Sequence, residues 1–189
     1  EVLTSEMVEH QKYFPIADKN GDLVNQFVIT ANNTPSDDIR RGNIKVVSAR
    51  LADGVFLYEQ DLKSSLDKMN EKLKHVTFQK ELGSVYEKVQ RLIANVKVIH
   101  KLLDIADLEK TVRAATLCKA DLASELVGEF PELQGVMGRY YALADGEPAK
   151  GAEAIADHYA PQGPADCCPS APVSVAVALA DKIDSLVGF

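Results

Sequence analysis

Along the first sixty residues apolar positions come in short runs separated by polar turns. In "KYFPIADKNGDLVNQFVITAN" two such runs flank "DKNGD". Asn-Gly between apolar runs marks a hairpin, because both central residues of a type I′ turn need positive φ. Strands are expected near 11–17 and 23–31. "NNTPSDDIRRGN" reads as a polar loop. In "IKVVSARLADGVFLYEQDL", Val46, Val47, Ala49, Arg50, Leu51 and Val55 fit a helix that gives way near Gly54.

From residue 63 the periodicity changes to steps of three and four. "SLDKMNEKLKHV" reads as a short polar helix. "ELGSVYEKVQRLIANVKVIHKLL" places Leu82, Val85, Val89, Leu92, Ile93, Val96 and Ile99 on one face of a long amphipathic helix. "DLEKTVRAATLCKADLASELVGEF" reads as another, with Val112, Ala115, Leu117, Leu122, Leu126 and Val127 apolar. "EPAKGAEAIADHYAP" is a short helix, "PQGPADCCPSAP" a Pro/Gly-rich loop, and "VSVAVALADKIDSLVGF" a final buried helix. The fold class is therefore α+β: a small α/β part with a β-hairpin over 1–62, then an all-α domain over 63–189.

Composition adds bounds. The hydrophobic fraction is 46%, enough for a real core, and no apolar run reaches the roughly 18 residues of a membrane span. The start "EVLTSEMVEH" lacks a signal pattern, and a cytoplasmic protein without membrane contact is expected. The chain begins without methionine and stops within an apolar run, so both ends read as cuts in a longer protein. Cys118, Cys167 and Cys168 make no disulfide framework and no zinc spacing, and free thiols are expected.

The net charge of −7 is uneven: −4 over 1–62 (6 basic, 10 acidic), +4 over 63–113 (11 basic, 7 acidic) and −7 over 114–189 (4 basic, 11 acidic). A basic middle between acidic flanks permits one local anionic partner. Arg40, Arg41, Lys45 and Arg50 form a first basic set, and Lys45 would lie near the positive end of a helix over 44–52, a place that suits phosphate. Lys72, Lys74, Lys80, Lys88 and Arg91 form a second, which reads either as a nucleic-acid face or as a solvated helix face.

Candidate chemistry is sparse. No two of His10, His75, His100 and His158 stand at i, i+3 or i+4, and no phosphate-cradling glycine motif or nucleophile elbow occurs. Cys118 precedes a lysine but lies on a helix that reads as buried, which argues against a catalytic thiol. Asp121 in "CKADLAS" and Asp181 in "ALADKID" sit inside apolar helices, where a charge costs several kcal/mol unless paired. They read as metal ligands or an acid/base pair, or else as partners of Lys119 or Lys182 or a cap on a neighbouring helix. "EFPELQGVMGRYYA" holds Gly135 and Gly138 where a plain helix would use alanine, each costing about 1 kcal/mol. A helix stop at Phe130-Pro131 and a restart near Pro131 are expected. The glycines mark close packing against a neighbouring helix, or close approach of RNA with Arg139 on phosphate and Tyr140 and Tyr141 on bases.

The blocks "MVEHQKYFPIADKNGDL", "RRGNIKVVSARLADGVFLYEQDL", "KLKHVTFQKELGSVYEKVQRL", "KADLASELVGEFPELQGVMGRYYAL" and "ALADKIDSLVG" resemble, in order, the beta subunit of the bacterial heterotetrameric glycyl-tRNA synthetase. The resemblance covers nearly the whole chain. It implies that an alpha subunit carries the class II catalytic core and activates glycine with ATP and Mg, while the beta subunit supplies recognition of tRNA(Gly) and architecture. It implies no catalytic residue, no metal and no cofactor in this chain. It further implies that 63–189 is similar to HD-type metal phosphohydrolases in degenerate form. "LCKAD" stands about where the His-Asp pair would be, keeping Asp121; Gly83 or Ser84 replaces the first histidine; Asp181 matches the distant aspartate.

Three functions follow as expectations. The first is a tRNA-binding and architectural segment, with Arg40, Arg41, Lys45, Arg50, Lys72, Lys74, Lys80, Lys88, Arg91 and Arg139 as candidate contacts. The alternatives are a metal-dependent HD-type phosphohydrolase using Asp121 and Asp181, and a purely structural interaction module.

Overall fold

The computed structural model describes residues 2–105 and 107–189. It is α+β, and divides into two compact units, Glu1–Gln60 and Asp61–Phe189.

In the first unit, α1 (Val2–Ser5) runs into a π-turn at Glu6–His10. The antiparallel hairpin β1 (Phe14–Ala17) and β2 (Leu23–Val28) follows, pairing Phe14 with Val28 and Ala17 with Leu23. Both strands are shorter than the apolar runs suggested. The turn is not type I′: Gly21 takes φ +89 but Asn20 does not take positive φ. Asp18 closes the loop instead, its carboxylate accepting from the amides of Asn20 (2.8 Å) and Asp22 (3.1 Å).

Helix α2 spans Asp37–Asp61, well beyond the expected 46–55. The second part of the segment read as a polar loop, 37–43, forms its first two turns, while 32–36 stay non-helical. Ser36 accepts from the Ile39 amide at 3.3 Å, and Asp37 and Asp38 follow in the first turn, where negative charge meets the positive helix end. Gly54 does not break the helix. A Cβ there would meet Val2 Cγ1 at 3.7 Å, an ordinary packing distance, so a side chain would fit at this position. Met7 and Val47 are the buried apolar residues of this unit.

The second unit is helical: α3 (Leu66–Lys72), a 3₁₀ turn at Leu73–His75, a two-stranded ladder of β3 (Thr77–Gln79) with β4 (Gly83–Ser84), then α4 (Val85–Leu103). Next come α5 (Leu108–Leu117), a 3₁₀ turn at Ala120–Ala123, α6 (Glu125–Glu129) and a 3₁₀ turn at Pro131–Leu133. The unit closes with α7 (Val136–Ala144), α8 (Ala149–Asp157) and α9 (Pro172–Gly188). Packing of α4 on α5 and α9, and of α8 on α5, α7 and α9, builds the core.

Helix α4 buries Val85, Val89, Leu92, Val96 and Ile99, the stripe its periodicity implies. It starts with a capping box: Ser84 Oγ accepts from the Glu87 amide and Glu87 accepts from the Ser84 amide. Leu82 therefore precedes the helix. Helix α3 is not polar all round, since Leu66 and Met69 are fully buried, as is Leu73 at the start of the 3₁₀ turn. The single helix expected over 107–130 is three pieces. Ser124 Oγ donates to the Asp121 carbonyl (2.7 Å) and accepts from the Val127 amide (3.2 Å), so one side chain ends the 3₁₀ turn and starts α6. Helix α9 buries Val173, Ala176, Val177 and Ala180 but exposes Ile183, Leu186 and Val187, so it is buried on one face only.

Candidate functional site

Asp121 is fully buried on the 3₁₀ turn after α5. Its Oδ2 accepts from the amides of Gly135 (2.6 Å) and Gly138 (3.0 Å). These are orphan donors at the start of α7, so a carboxylate from a distant turn caps that helix and meets its positive end. Gly135 has φ +80, and a Cβ there would stand 2.6 Å from Tyr159 Cδ2. At Gly138 a Cβ would stand 2.7 Å from Ile155 Cγ2 and 3.0 Å from Asp121 Oδ2. The glycine pair thus answers to packing: it admits both α8 and the capping carboxylate. Burial pushes the Asp121 pKa up to about 6, against the opposing pull of the two amides and of Lys119.

Asp181, on α9, faces two lysines. Lys119 Nζ donates to its Oδ2 at 2.9 Å, and Lys88 Nζ lies 2.8 Å from its Oδ1 in an ionic contact without hydrogen-bond alignment. Burial raises its pKa, but the Lys119 and Lys88 ammonium groups outweigh that and hold it near 2. Lys88 also donates to Asp184 Oδ2 (3.0 Å), and Arg91 Nε donates to Asp184 Oδ1 (2.6 Å). One carboxylate per turn of α9 is thus locked to the cations of α4. Lys182 donates to the Tyr159 carbonyl instead.

His158 completes this interior group and was not singled out by spacing. Its ring is fully buried, with Nδ1 2.7 Å from the Ile155 carbonyl and Nε2 4.0 Å from Asp181 Oδ2. Burial and the Lys119 charge push its pKa well below the ordinary histidine value, so it is neutral. Cys118 is buried too, and burial pushes its thiol up to about 12. An unactivated thiol of this kind is no nucleophile. Among the described residues no three His, Cys, Asp or Glu side chains converge as a metal-ligand set. The donors do not fit the ion that an HD-like site implies: Asp121 is engaged by amides and Asp181 by ammonium groups. The acid/base and phosphohydrolase readings have no geometry behind them here.

The basic candidates divide sharply. Lys88 is buried and Arg91 half-buried, both committed to α9, so the even basic face expected over 72–91 does not exist. Lys72, Lys74 and Lys80 are exposed. Lys74 contacts Glu71 and lies 4.7 Å from the Tyr86 ring centroid. Lys72 and Lys80 have no ion pair among the described residues. In the first unit Arg40 pairs with Asp37 (3.0 Å), Arg41 with Asp38 (2.6 Å), and Arg50 approaches buried Glu6 at 3.9 Å. Lys45 is exposed but more than two turns inside α2, away from the positive helix end. Arg139 is half-buried with its guanidinium 5.1 Å from the Tyr140 ring centroid. Tyr140 is exposed, whereas Tyr141 is buried and donates to Asp61 Oδ2 at 2.7 Å, so it is no stacking platform.

A helical module with a polar interior closed by ion pairs and caps, and with cations at its surface, is the class this fold and site define. The family model described as glycyl-tRNA synthetase beta subunit matches residues 1–189, and the chain belongs to that family. It is 48% identical to the glycine--tRNA ligase beta subunit of Acaryochloris marina, 47% to that of Neisseria meningitidis and 48% to that of Paracoccus denitrificans. Each match covers 100% of this chain and 27%, 28% and 28% of the relative, so the chain spans a little over a quarter of their length. No helix among the described residues is long and apolar enough to cross a membrane.

Proposed function

We propose that this chain is a tRNA-orienting and architectural segment of a glycine–tRNA ligase, with chemistry performed on a partner alpha subunit that uses ATP and Mg. The observation that carries this reading is the division of the cations. Interior carboxylates are consumed by caps and ion pairs, while Lys72, Lys74 and Lys80 stand exposed on one short stretch of chain. Arg40, Arg41, Lys45, Arg50 and Arg139 remain secondary candidates; exposed pairs such as Arg40–Asp37 are worth at most about 1 kcal/mol, so a phosphate can replace the carboxylate. Lys88 and Arg91 act on RNA only through the scaffold they hold.

The test uses the complete subunit assembled with its partner. Lys72→Glu, Lys74→Glu and Lys80→Glu together should weaken binding of tRNA(Gly) and lower the dependence of log affinity on log salt by roughly 2–3. Unchanged binding and unchanged aminoacylation would favour the purely structural module and sink the RNA contact.

A further inference from the structure

The first unit is short of core. Met7 and Val47 are its buried apolar residues, while Leu23 and Val24 on β2 and Ile44 on α2 are exposed. These three side chains, with Phe27, Val47 and Leu51, line a groove of about 1140 Å³ between the hairpin and α2. That exceeds the roughly 300–1,000 Å³ of small-molecule pockets. Among its described lining residues Arg40 alone is charged, and Arg40 is paired with Asp37. A groove of this size and apolar character fits a stretch of polypeptide and not an ionic ligand.

The sheet is incomplete at the same place. It has two strands, β1 and β2, and a lone hairpin is marginally stable at best in water, whereas a third strand over an apolar face makes a sheet self-supporting. The two strands differ in what they offer a newcomer. Beside β1 the Tyr13 amide donates to the Met7 carbonyl at 2.8 Å, and Pro15 within the strand has no N–H to give. β2 reads Leu-Val-Asn-Gln-Phe-Val and carries neither charge nor proline. Those are the residues that blunt a solvent-facing edge, because an open uncharged edge recruits other strands. β2 has the composition of a strand with a neighbour on each side.

The matched region is 27–28% of each relative, so nearly three quarters of such a polypeptide lies outside it. A strand from that part reaches β2 at the high effective concentration of a tethered segment, whereas a separate chain must first give up translational and rotational freedom. We propose that a strand of the same subunit polypeptide, outside residues 1–189, pairs with the free edge of β2 and seats its alternate side chains in the groove. RNA contact plays no part in this pairing.

The experiment uses the full-length subunit, alone and assembled with its partner, with photo-leucine incorporated in place of leucine. Amide exchange over Val24–Val28 is read residue by residue, and cross-links from Leu23 and Leu51 are mapped by mass spectrometry. In the subunit alone, consecutive amides from Val24 to Val28 should exchange about 100-fold or more slowly than unstructured chain, whereas a lone hairpin protects alternate amides only. Cross-links should run to residues of the same polypeptide outside 1–189, and should persist on dilution and without the partner subunit. Protection of alternate amides only, or cross-links confined to 1–189, overturns the proposal. Cross-links between two copies that fade on dilution overturn it as well, as does protection that appears only when the partner subunit is added, because the groove then belongs to another chain.

Discussion

Asp121 Oδ2 lies 2.6 Å from the amide nitrogen of Gly135, fourteen residues away, and this bond joins the turn after α5 to the start of α7. The same oxygen holds the Gly138 amide, so removing the carboxylate orphans two buried donors at once. Each unsatisfied buried donor costs about 1–3 kcal/mol. Asp121→Ala should therefore destabilise the domain by roughly 2–6 kcal/mol, and Asp121→Asn, which keeps one acceptor oxygen, by about 1–2 kcal/mol. Urea unfolding followed by circular dichroism reads both; equal losses in the two variants would show that the cap is not the reason Asp121 is there.

The two glycines should respond differently to alanine. At Gly138 the added methyl meets Ile155 Cγ2 at 2.7 Å and the capping Asp121 Oδ2 at 3.0 Å, an overpacking cost without backbone strain. At Gly135 it meets the Tyr159 ring at 2.6 Å and the backbone is already at φ +80. Overpacking costs about 1–3 kcal/mol, and a non-glycine residue at positive φ adds about 1 kcal/mol more. Gly135→Ala should be the more damaging of the pair by the same unfolding assay.

Much of the architecture was legible in the chain. The α4 stripe follows from spacing alone, because one helix face against one core leaves a periodic record. The caps did not, because Asp121 and the glycines it serves are far apart in sequence and meet only through α5, α7 and α8. The outer end of α2 was missed for another reason: Ser36-Asp37-Asp38 reads as loop by polarity but as a helix start by capping chemistry. Lys88 was misread as a surface cation because its carboxylate partners, Asp181 and Asp184, lie on α9, almost a hundred residues on. His158 left no signal, since one histidine in a short helix has no pattern to break.

Two buried groups give opposing pH dependence. His158 has a folded pKa well below its ordinary 6.5, so its contribution is present above about 6.5 and is lost as pH falls, at up to about 1.4 kcal/mol per pH unit. Asp121 has a folded pKa of about 6 against an ordinary 3.8, so the folded state binds the extra proton between those values and stability falls as pH rises from about 4 to 6. The slopes offset each other in wild-type across that window. Lys119, Asp181 and Lys182 also act on His158, but Asp181, held near 2, titrates only below about 4. His158→Gln should therefore gain stability on acidification from pH 6 to 4, and Asp121→Asn should lose it. Thermal midpoints across pH 4–7 decide this, and parallel curves for the two variants would contradict it.

Lys88 provides the sharpest separation of scaffold from surface. It is 4% exposed and its ammonium serves both Asp181 and Asp184, so Lys88→Ala leaves two buried carboxylates short of a counter-ion. Breaking a buried pair from one side costs about 3–5 kcal/mol, whereas replacing both partners with well-packed neutral groups is often close to neutral. Lys88→Ala should lower the urea midpoint strongly, and Lys88→Met with Asp184→Asn should recover part of the loss while Arg91 keeps its bond to the Leu82 carbonyl. At temperatures where it is still folded, the double variant should bind tRNA with the salt dependence of wild-type, because neither side chain reaches solvent. A changed salt slope would place Lys88 at the RNA surface after all.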